Sequence, residues 1–310
     1  MCDLTNPIYN DEDAARKHLE TVRWGGSRYC PHCGATEGTV PIVGKKQSHR
    51  PGLYYCNECK KQFSVTVGTV FERSHVPLHK WVLAYHLMAS SKKGISAHQL
   101  HRMLGVTYKT AWFMAHRIRE SMSDDDNTPM GGDGSTVEAD ETYLGGKVRR
   151  RKNRKGRQVG IADKMKIVGL VERGGDVRTF HVEKVNSKTV RNILVTNVDR
   201  KSKLMIDEAN HYRRVGKEYA SHEAVHHAVH EYARDNVFTN TIEGFFSIFK
   251  RGMKGVYQHC SEAHLKRYLA EFDFRYNTRS MTDAERAIEA LRGITGKRLT
   301  YNQPRQAANA

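Results

Sequence analysis

The sequence of 310 residues lacks any long apolar run and any leader-like beginning. No stretch of about 18 apolar residues is present, which argues against a membrane-spanning helix. Residues 1–7 form neither the basic segment nor the apolar segment of a secretory signal. The sequence therefore predicts a cytoplasmic protein, long enough for two or three domains.

Cysteine is also scarce. The chain has six cysteines, which are too few and too clustered for a disulfide scaffold at this length. Four of them form two Cys-x-x-Cys pairs, Cys30 with Cys33 and Cys56 with Cys59. Four thiolates can surround one structural Zn²⁺ and leave no coordination position open for catalysis. Short apolar segments beside the pairs favour strands, so we predict a zinc ribbon. A redox dithiol is the alternative, but two pairs without a βαβ context do not favour it.

Acidic residues are outnumbered, since 34 aspartates and glutamates stand against 51 lysines and arginines, for a net charge of +17. Such an excess usually indicates a polyanionic partner such as nucleic acid, and a basic protein without one is the alternative. Residues 147–158 hold eight basic residues and no acid. We interpret this run as a clamp for a DNA backbone, rather than a solvated loop, and assign DNA contacts to Lys147, Arg149, Arg150, Arg151, Lys152, Arg154 and Lys155.

A helical segment is predicted between residues 75 and 123. Ser96 and Thr107 are candidate N-caps of two helices, and a turn that opens on Gly105 separates these helices. This is the order of a helix-turn-helix, whose second helix can enter the major groove of DNA. Many helix pairs only pack a core, so the pattern alone leaves DNA binding open. We predict DNA contacts for three basic residues of the second helix, Lys109, Arg117 and Arg119.

Three acidic residues stand in segments that could bring them to one divalent-metal centre. Asp140 and Asp207 each follow an apolar stretch, and we predict a strand that ends at each. Glu243 lies in an amphipathic helical pattern, with Asn240 one turn before it and Lys250 seven residues later on the same face. Carboxylates suit Mg²⁺, and two such ions can stabilise both oxygens in a phosphodiester displacement. Taken singly, each acid is more readily an ordinary residue that faces solvent.

Four stretches of the sequence resemble the DDE transposases of insertion sequences, in particular the ISXO-type branch that carries a zinc ribbon. The matching text is Val-Glu-Ala-Asp-Glu-Thr-Tyr-Leu-Gly-Gly-Lys at 137–147, Ile-Asp-Glu at 206–208, Asn-Thr-Ile-Glu-Gly-Phe-Phe at 240–246 and Arg-Tyr-Leu-Ala-Glu-Phe-Asp-Phe-Arg-Tyr-Asn at 267–277. With the cysteine segment, these stretches reach over most of the chain. The resemblance implies an α/β fold class, with an RNase H-like catalytic domain behind a zinc ribbon and a helix-turn-helix-like segment.

The same resemblance implies a transposase that cleaves the ends of its element and joins the 3′-hydroxyls to target DNA. Two Mg²⁺ or Mn²⁺ ions would be held by Asp140, Asp207 and Glu243, and Lys250 would contact a phosphate. Some members of the branch have Asn at the third position, so Asn240 remains an alternative to Glu243. DNA is the expected partner, both as terminal inverted repeats and as target. Because two ends must be joined, we expect a homo-oligomer on DNA.

The element order divides the chain into five segments. We predict an N-terminal region with the zinc ribbon at 1–74, the helical segment at 75–123, a linker at 124–135, the catalytic domain at 136–295 and a tail at 296–310. The catalytic domain is expected to be a sheet covered by helices on both sides.

Two other functions fit parts of the sequence. A Mg²⁺-dependent nuclease would stop at hydrolysis, and a zinc-ribbon regulator would bind DNA with a silent catalytic domain. His226 and His230 stand four residues apart, but they lack the HExxH pattern, so a catalytic zinc site is not favoured.

Overall fold

The computed structural model describes residues 3–43, 49–124, 128–145, 164–207, 213–225 and 239–300, without the side chains of residues 207, 213–214 and 222–225. Two compact units divide the chain. Unit 1 is Met1–Ser123 with Ser280–Ala310, and unit 2 is Asp124–Arg279. Within the described ranges, no helix has the length and apolar character needed to cross a membrane.

Unit 1 begins with a 3₁₀ turn and a helix that packs on a small sheet. The elements are the turn Pro7–Tyr9, α1 (Glu12–Trp24), β1 (Thr39–Pro41), β2 (Tyr54–Cys56) and β3 (Gln62–Phe63). The strands are antiparallel in the order β1-β2-β3, as expected for a ribbon. Trp24 at the end of α1 meets Tyr54 and Phe63 edge-on, with ring centroids 5.5 and 6.3 Å away. These contacts tie α1, which was not predicted from the sequence, to the ribbon.

Three further helices of unit 1 lie in the predicted helical segment. They are α2 (Leu78–Ser90), α3 (Ala97–Leu104) and α4 (Tyr108–Ser121). Both predicted N-caps are confirmed, because the hydroxyl of Ser96 accepts a hydrogen bond from the amide of Gln99 and that of Thr107 accepts one from the amide of Thr110. Gly105 ends α3 in the left-handed conformation, at φ 61°, which glycine adopts without steric cost. The predicted helix-turn-helix order is therefore present.

In its described ranges, unit 2 contains a five-stranded sheet and four helices. Its strands are β4 (Thr136–Leu144), β5 (Met165–Glu172), β6 (Val177–Val182), β7 (Lys203–Asp207) and β8 (Ser221–Val225). The spatial order is β6-β5-β4-β7-β8. β4, β5 and β6 pair antiparallel, whereas β7 and β8 run parallel to β4. The helices are α5 (Ser187–Asn197), α6 (Arg213–Gly216), α7 (Asn240–Gly252) and α8 (Glu262–Asn277), and one π-helical turn, Met253–Tyr257, follows α7.

The sheet of unit 2 separates two apolar layers, as the sequence predicted. On one face, Ile167 packs with side chains of α7 and α8, among them Phe249 and Phe272. On the other face, Val137 and Ala139 pack with side chains of α5. In β4 itself, Leu144 belongs to the layer with α7 and α8, on the face opposite to Val137 and Ala139, because successive strand residues point to opposite faces.

A last helix, α9 (Asp283–Arg292), belongs to unit 1, which corrects the predicted end of the catalytic domain at residue 295. The helix starts with a capping box between Thr282 and Glu285, and its Arg286 donates to the carbonyl of Ala89 in α2. Its apolar face is buried in that unit. A partner nearly 200 residues earlier leaves no signal in the local sequence pattern.

Two further boundaries in unit 2 differ from the prediction. β4 does not end at Asp140, because its ladder with β5 continues to the pair Leu144–Met165. The predicted linker at 124–135 is in part a packed segment, since the amide of Met130 donates to the carbonyl of Asn197. β8 is a strand that the polar text Ser-His-Glu-Ala-Val did not predict.

Candidate active site

β4 carries three acidic residues near its middle, two on one face and one on the other. Glu138 and Asp140 share the face that α7 covers, and Glu141 lies on the opposite face by strand alternation. Asp140 is partly exposed, and its Oδ1 accepts a hydrogen bond of 2.7 Å from the amide of Glu141. The pKa of Tyr143 is raised, first by burial and then by the negative charges of Glu141 and Asp140. This part of the strand is therefore electronegative.

The register between β4 and β7 brings the two predicted aspartates to one level of the sheet. The parallel ladder runs from the pair Thr136–Lys203 to the pair Ala139–Ile206. One step further along each strand stand Asp140 and Asp207. Neighbouring strands are about 4.8 Å apart, so the backbones of these two residues lie side by side. The side chain of Asp207 lies outside the described residues.

A glycine lets α7 lie directly on the sheet beside Asp140. Gly169 of β5 pairs with Asp140 across the ladder. A Cβ atom at Gly169 would lie 2.7 Å from Cζ of Phe246 and 2.8 Å from Cδ1 of Ile242, which is closer than real Cβ contacts come. Glu243 directly follows Ile242 in the first turns of α7. The helix is thus docked at the level of Asp140 on the same face of the sheet.

Glu138 attaches the first turn of α7 to β4, and this residue was not singled out from the sequence. Its side chain is fully buried, and its Oε2 accepts hydrogen bonds from the amides of Thr241 at 2.9 Å and Ile242 at 3.0 Å. The available signal was an acid between Val137 and Ala139 in an apolar strand, because a buried carboxylate needs partners.

The other predicted residues of the site all lie on α7, whose helical pattern is confirmed. Asn240 is its first residue and is exposed. Glu243 is also exposed, and its Oε1 accepts a hydrogen bond of 3.1 Å from the hydroxyl of Thr239. Lys250 is half-buried in the last turn. Asn240 and Glu243 therefore lie in the N-terminal half of α7, and Lys250 lies near its C-terminal end.

The donor set at this place fits a hard divalent cation. Aspartate and glutamate oxygens are the ligands that Mg²⁺ prefers, and Asp140 and Glu243 both retain contact with solvent. Among the side chains that the structure describes, the group of three or more potential ligands with converging donor atoms is the cysteine quartet. That statement does not cover the trio Asp140, Asp207 and Glu243, because the side chain of Asp207 is not described.

The four predicted zinc ligands converge in unit 1. The sulfurs of Cys30, Cys33, Cys56 and Cys59 all lie within 4.8 Å of one another, and two of the distances are 3.6 and 3.7 Å. A tetrahedron with Zn–S bonds of about 2.3 Å has edges of about 3.8 Å, so the quartet fits this ion. Backbone amides of residues 59 and 58 lower the pKa of Cys56 to about 7, whereas burial raises the pKa of Cys59 to about 12.

Of the three predicted DNA contacts in α4, one is exposed and two are buried. Lys109 is exposed in the first turn. Arg117 and Arg119 are buried, and Arg117 donates to the carbonyls of Leu299 and Glu72. Burial lowers the pKa of Arg117, and the nearby charge of Arg298 adds to this effect. The assignment of DNA contacts to Arg117 and Arg119 is therefore wrong, since both side chains stabilise the interior of unit 1.

Several predicted residues fall outside the part of the chain that the structure describes. The basic run with Lys147, Arg149, Arg150, Arg151, Lys152, Arg154 and Lys155 lies in one such range, and so do His226 and His230.

Comparisons with known proteins match two separate parts of the chain, one in each unit. The ISXO2-like transposase domain matches residues 131–277, and the transposase zinc-ribbon domain matches residues 10–62. A Halobacterium salinarum protein described as an uncharacterized protein in transposable element ISH50 is 29% identical over 276 residues, which cover 85% of this chain and 90% of that protein. The class that these matches define is the transposases of insertion sequences.

A solved structure was also matched. The simian T-cell lymphotropic virus intasome in complex with PP2A regulatory subunit B56 gamma, determined by cryoEM, is 13% identical, with a TM-score of 0.28. The match covers 56% of this chain and spans 63% of the length of that one. A likeness at this level does not indicate a fold or a function. The two family matches define the family, and this chain belongs to the transposases with an ISXO2-like DDE domain behind a zinc ribbon.

Proposed function

We propose that this transposase binds the terminal inverted repeats of its insertion sequence, hydrolyses the DNA at each end and joins the freed 3′-hydroxyls to target DNA. One observation carries the proposal. Support comes from the register of β4 with β7, which sets the backbones of Asp140 and Asp207 side by side, and from the docking of α7, the helix of Glu243, at Gly169, which pairs with Asp140. These are the three acids that the DDE resemblance assigns to catalysis.

The strand order supports an RNase H-like fold for unit 2. In sequence order within the unit, the strands lie as 3-2-1-4-5, with the second strand antiparallel to the first and the fourth and fifth parallel to it. In this arrangement, the first and fourth strands are central neighbours, and each contributes one of the proposed aspartates. Helices cover both faces, which excludes solvent from the sheet on either side of the site.

Asp140, Asp207 and Glu243 are the residues that would hold two Mg²⁺ ions. When bound, such ions activate the attacking oxygen and stabilise the leaving 3′ oxygen of the phosphodiester. Asn240 precedes Glu243 by one turn, so its amide oxygen can support the same site. Lys250, seven residues after Glu243 on α7, binds a phosphate of the DNA backbone. The DNA strand then lies along the exposed side of α7.

DNA binding is shared between both units. The exposed Lys109 at the start of α4 and the basic run at 147–155 neutralise phosphates, and zinc bound in the ribbon stabilises the fold of unit 1. Joining two ends requires two active sites in one complex, so the active form is a homo-oligomer on DNA. Light scattering with terminal-repeat DNA present measures its size. The proposed place of action is the nucleoid of the cytoplasm.

The test is a cleavage and joining assay with terminal-repeat DNA, Mg²⁺ and a target plasmid. Asp207→Ala is expected to slow cleavage by more than about 100-fold, since even the outer partners of metal ligands are worth 10- to 100-fold. Asp140→Asn should do the same. Glu141→Gln is the matched control, because Glu141 is adjacent to Asp140 but faces the other side of β4.

The outcomes of this assay distinguish a transposase from a nuclease and from a DNA-binding regulator. Cleavage with strand transfer supports the proposal, and cleavage without transfer indicates a nuclease. Binding of repeat DNA with no cleavage by the parent indicates a regulator. Equal rates for the parent and Asp207→Ala would contradict the assignment of the site. Glu243→Gln and Asn240→Ala, measured side by side, identify the third ligand as the one whose loss abolishes cleavage.

A further inference from the structure

Glu138 is a buried acid whose hydrogen-bonding capacity is fully used. Its Oε1 accepts from Nε of Arg173 at 2.7 Å and from the hydroxyl of Thr241 at 2.9 Å, in addition to the two amides that Oε2 accepts. An ionised carboxylate offers about four acceptor sites, so four donors saturate it. Glu138 is therefore unsuited to bind a metal ion, although it lies two residues before Asp140 on the same face of β4.

The first turn of α7 depends on this carboxylate for its free amides. The first amides of a helix have no acceptor within the helix, and an N-cap side chain normally supplies one. Thr239 is the N-cap residue of α7, but its side chain makes no capping hydrogen bond and donates to Glu243 instead. Glu138 supplies the acceptor from the neighbouring strand, and its negative charge also suits the positive end of the helix dipole.

We propose that Glu138, held by Arg173, is a positioning residue that fixes the first turn of α7 on the sheet and thereby places Glu243 beside Asp140. The inference rests on the proposed DNA cleavage and extends it to a residue that does not touch the reacting atoms. Glu243 directly follows Ile242, one of the two residues whose amides Glu138 binds. Any shift of this turn therefore moves Glu243. A displacement of about 1 Å can cost about 100-fold in rate.

Glu138→Gln tests the proposal with little change in volume. The amide has one acceptor oxygen and brings two N–H donors, so at least two of the four donors lose their acceptor. We expect cleavage at saturating repeat DNA to slow by about 10- to 100-fold. The Mg²⁺ concentration for half-maximal cleavage should rise, while the affinity for repeat DNA stays unchanged. Glu138→Asp keeps both acceptor oxygens and should recover part of the rate.

A second measurement is independent of metal and of activity. Amide hydrogen exchange at Thr241 and Ile242, in the Mg²⁺-free protein, should be at least about tenfold faster in Glu138→Gln than in the parent. The charged donor Arg173 keeps the one remaining acceptor oxygen, so the NH₂ group of the glutamine faces the two amides and cannot accept from them. Asp140→Asn is the counterpart, since it should abolish cleavage without changing exchange at these amides. This pair distinguishes a failure of the positioning role from a failure of the proposed function.

Asp273→Asn is the matched control for a purely structural effect. Asp273 is also an acid that accepts hydrogen bonds from a threonine amide and hydroxyl, those of Thr179, but it joins α8 to β6. It should leave both exchange at residues 241–242 and the cleavage rate unchanged. Unchanged exchange in Glu138→Gln overturns the inference. Faster exchange with parental cleavage, or an equal slowing in Asp273→Asn, also overturns it.

Discussion

The two units of this transposase hold their candidate metal ligands in different ways. In unit 1, each Cys-x-x-Cys pair sits in one tight turn, and the four soft sulfurs already converge. In unit 2, the proposed ligands come from two strands and a helix that are separated by 67 and 36 positions in the sequence. The first site is closed around its ion and stabilises a small fold. The second is partly exposed, as a site that must admit DNA requires.

This difference decides what each site depends on. The sulfur site is built on local turns, whereas the proposed carboxylate site would depend on strand register, on Gly169 and on the buried Glu138 that contacts α7. Removing the ion should therefore disrupt unit 1, and disturbing the packing of α7 should disrupt the chemistry of unit 2.

The largest expected effect is the loss of the ribbon without zinc. Cys56→Ser, or treatment with a chelator, should release one Zn²⁺ per chain and unfold the ribbon, because zinc contributes about 10–16 kcal/mol in small zinc domains. All three tryptophans, Trp24, Trp81 and Trp112, belong to unit 1, and Trp24 packs against the ribbon. Tryptophan fluorescence with zinc analysis measures the change.

Cys260→Ser is the control for this experiment, since Cys260 lies in unit 2, outside the cysteine quartet. It should keep its zinc and the parental fluorescence. A parental zinc content in Cys56→Ser would contradict the assignment of the site.

The next effect is expected at the contact between α7 and the sheet. Gly169→Ala would place a methyl group 2.7 Å from Cζ of Phe246 and 2.8 Å from Cδ1 of Ile242, so these side chains or the helix α7 that carries them must shift. Overpacking of this kind typically costs about 1–3 kcal/mol, and we expect slower cleavage with it. Unfolding in denaturant and the cleavage assay measure both effects.

Two variants sharpen this result. Gly244→Ala makes the same change on α7, but at a position with no heavy atom within 4 Å of the added group, so it should stabilise the helix by up to about 1 kcal/mol. Phe246→Leu removes the nearest clashing atom and should restore part of the cleavage rate of Gly169→Ala. A neutral effect of Gly169→Ala on both stability and cleavage would show that α7 does not need this close approach.

The same contrast explains which features the sequence could predict. The caps Ser96 and Thr107 and the two cysteine turns depend on residues a few positions apart, and the structure has them as predicted. The helix with Glu243 was also predicted, because its apolar face repeats at helical spacing. Local chemistry therefore located both the zinc site and the helix of the second site.

Features that depend on distant partners were missed or assigned wrongly. Arg117 and Arg119 have the charge of DNA-binding residues, but carbonyl groups elsewhere in unit 1 accept hydrogen bonds from Arg117 in the interior. Glu138 resembles any acid near a strand end, and its role becomes visible only when α7 covers it. β8 has a polar sequence and forms a strand because it pairs in parallel with β7. In each case, the deciding contact lies far away in the chain.

A smaller effect should separate the two kinds of basic residue in α4. Lys109→Ala should weaken binding of repeat DNA by about three- to tenfold and reduce the slope of log affinity against log salt by about one, because one phosphate contact is lost. The unfolding temperature should stay unchanged. Arg117→Ala should instead lower the unfolding temperature, since the carbonyls of Leu299 and Glu72 lose a donor. The reverse pattern would restore Arg117 as a DNA contact.

A further effect concerns the pH dependence of unit 2. Burial raises the pKa of Asp273 to about 7 from 3.8, although hydrogen bonds from Thr179 oppose the shift. The folded state thus binds a proton that the unfolded state releases between these values, so the stabilisation from the protonated acid is complete below about pH 4 and is lost as the pH rises through about 7. Asp273→Asn cannot lose this proton. Its unfolding free energy relative to the parent should therefore rise between pH 4 and pH 7, as measured by denaturant titrations at each pH. A difference that does not change with pH would show that Asp273 is ionised in the folded protein throughout.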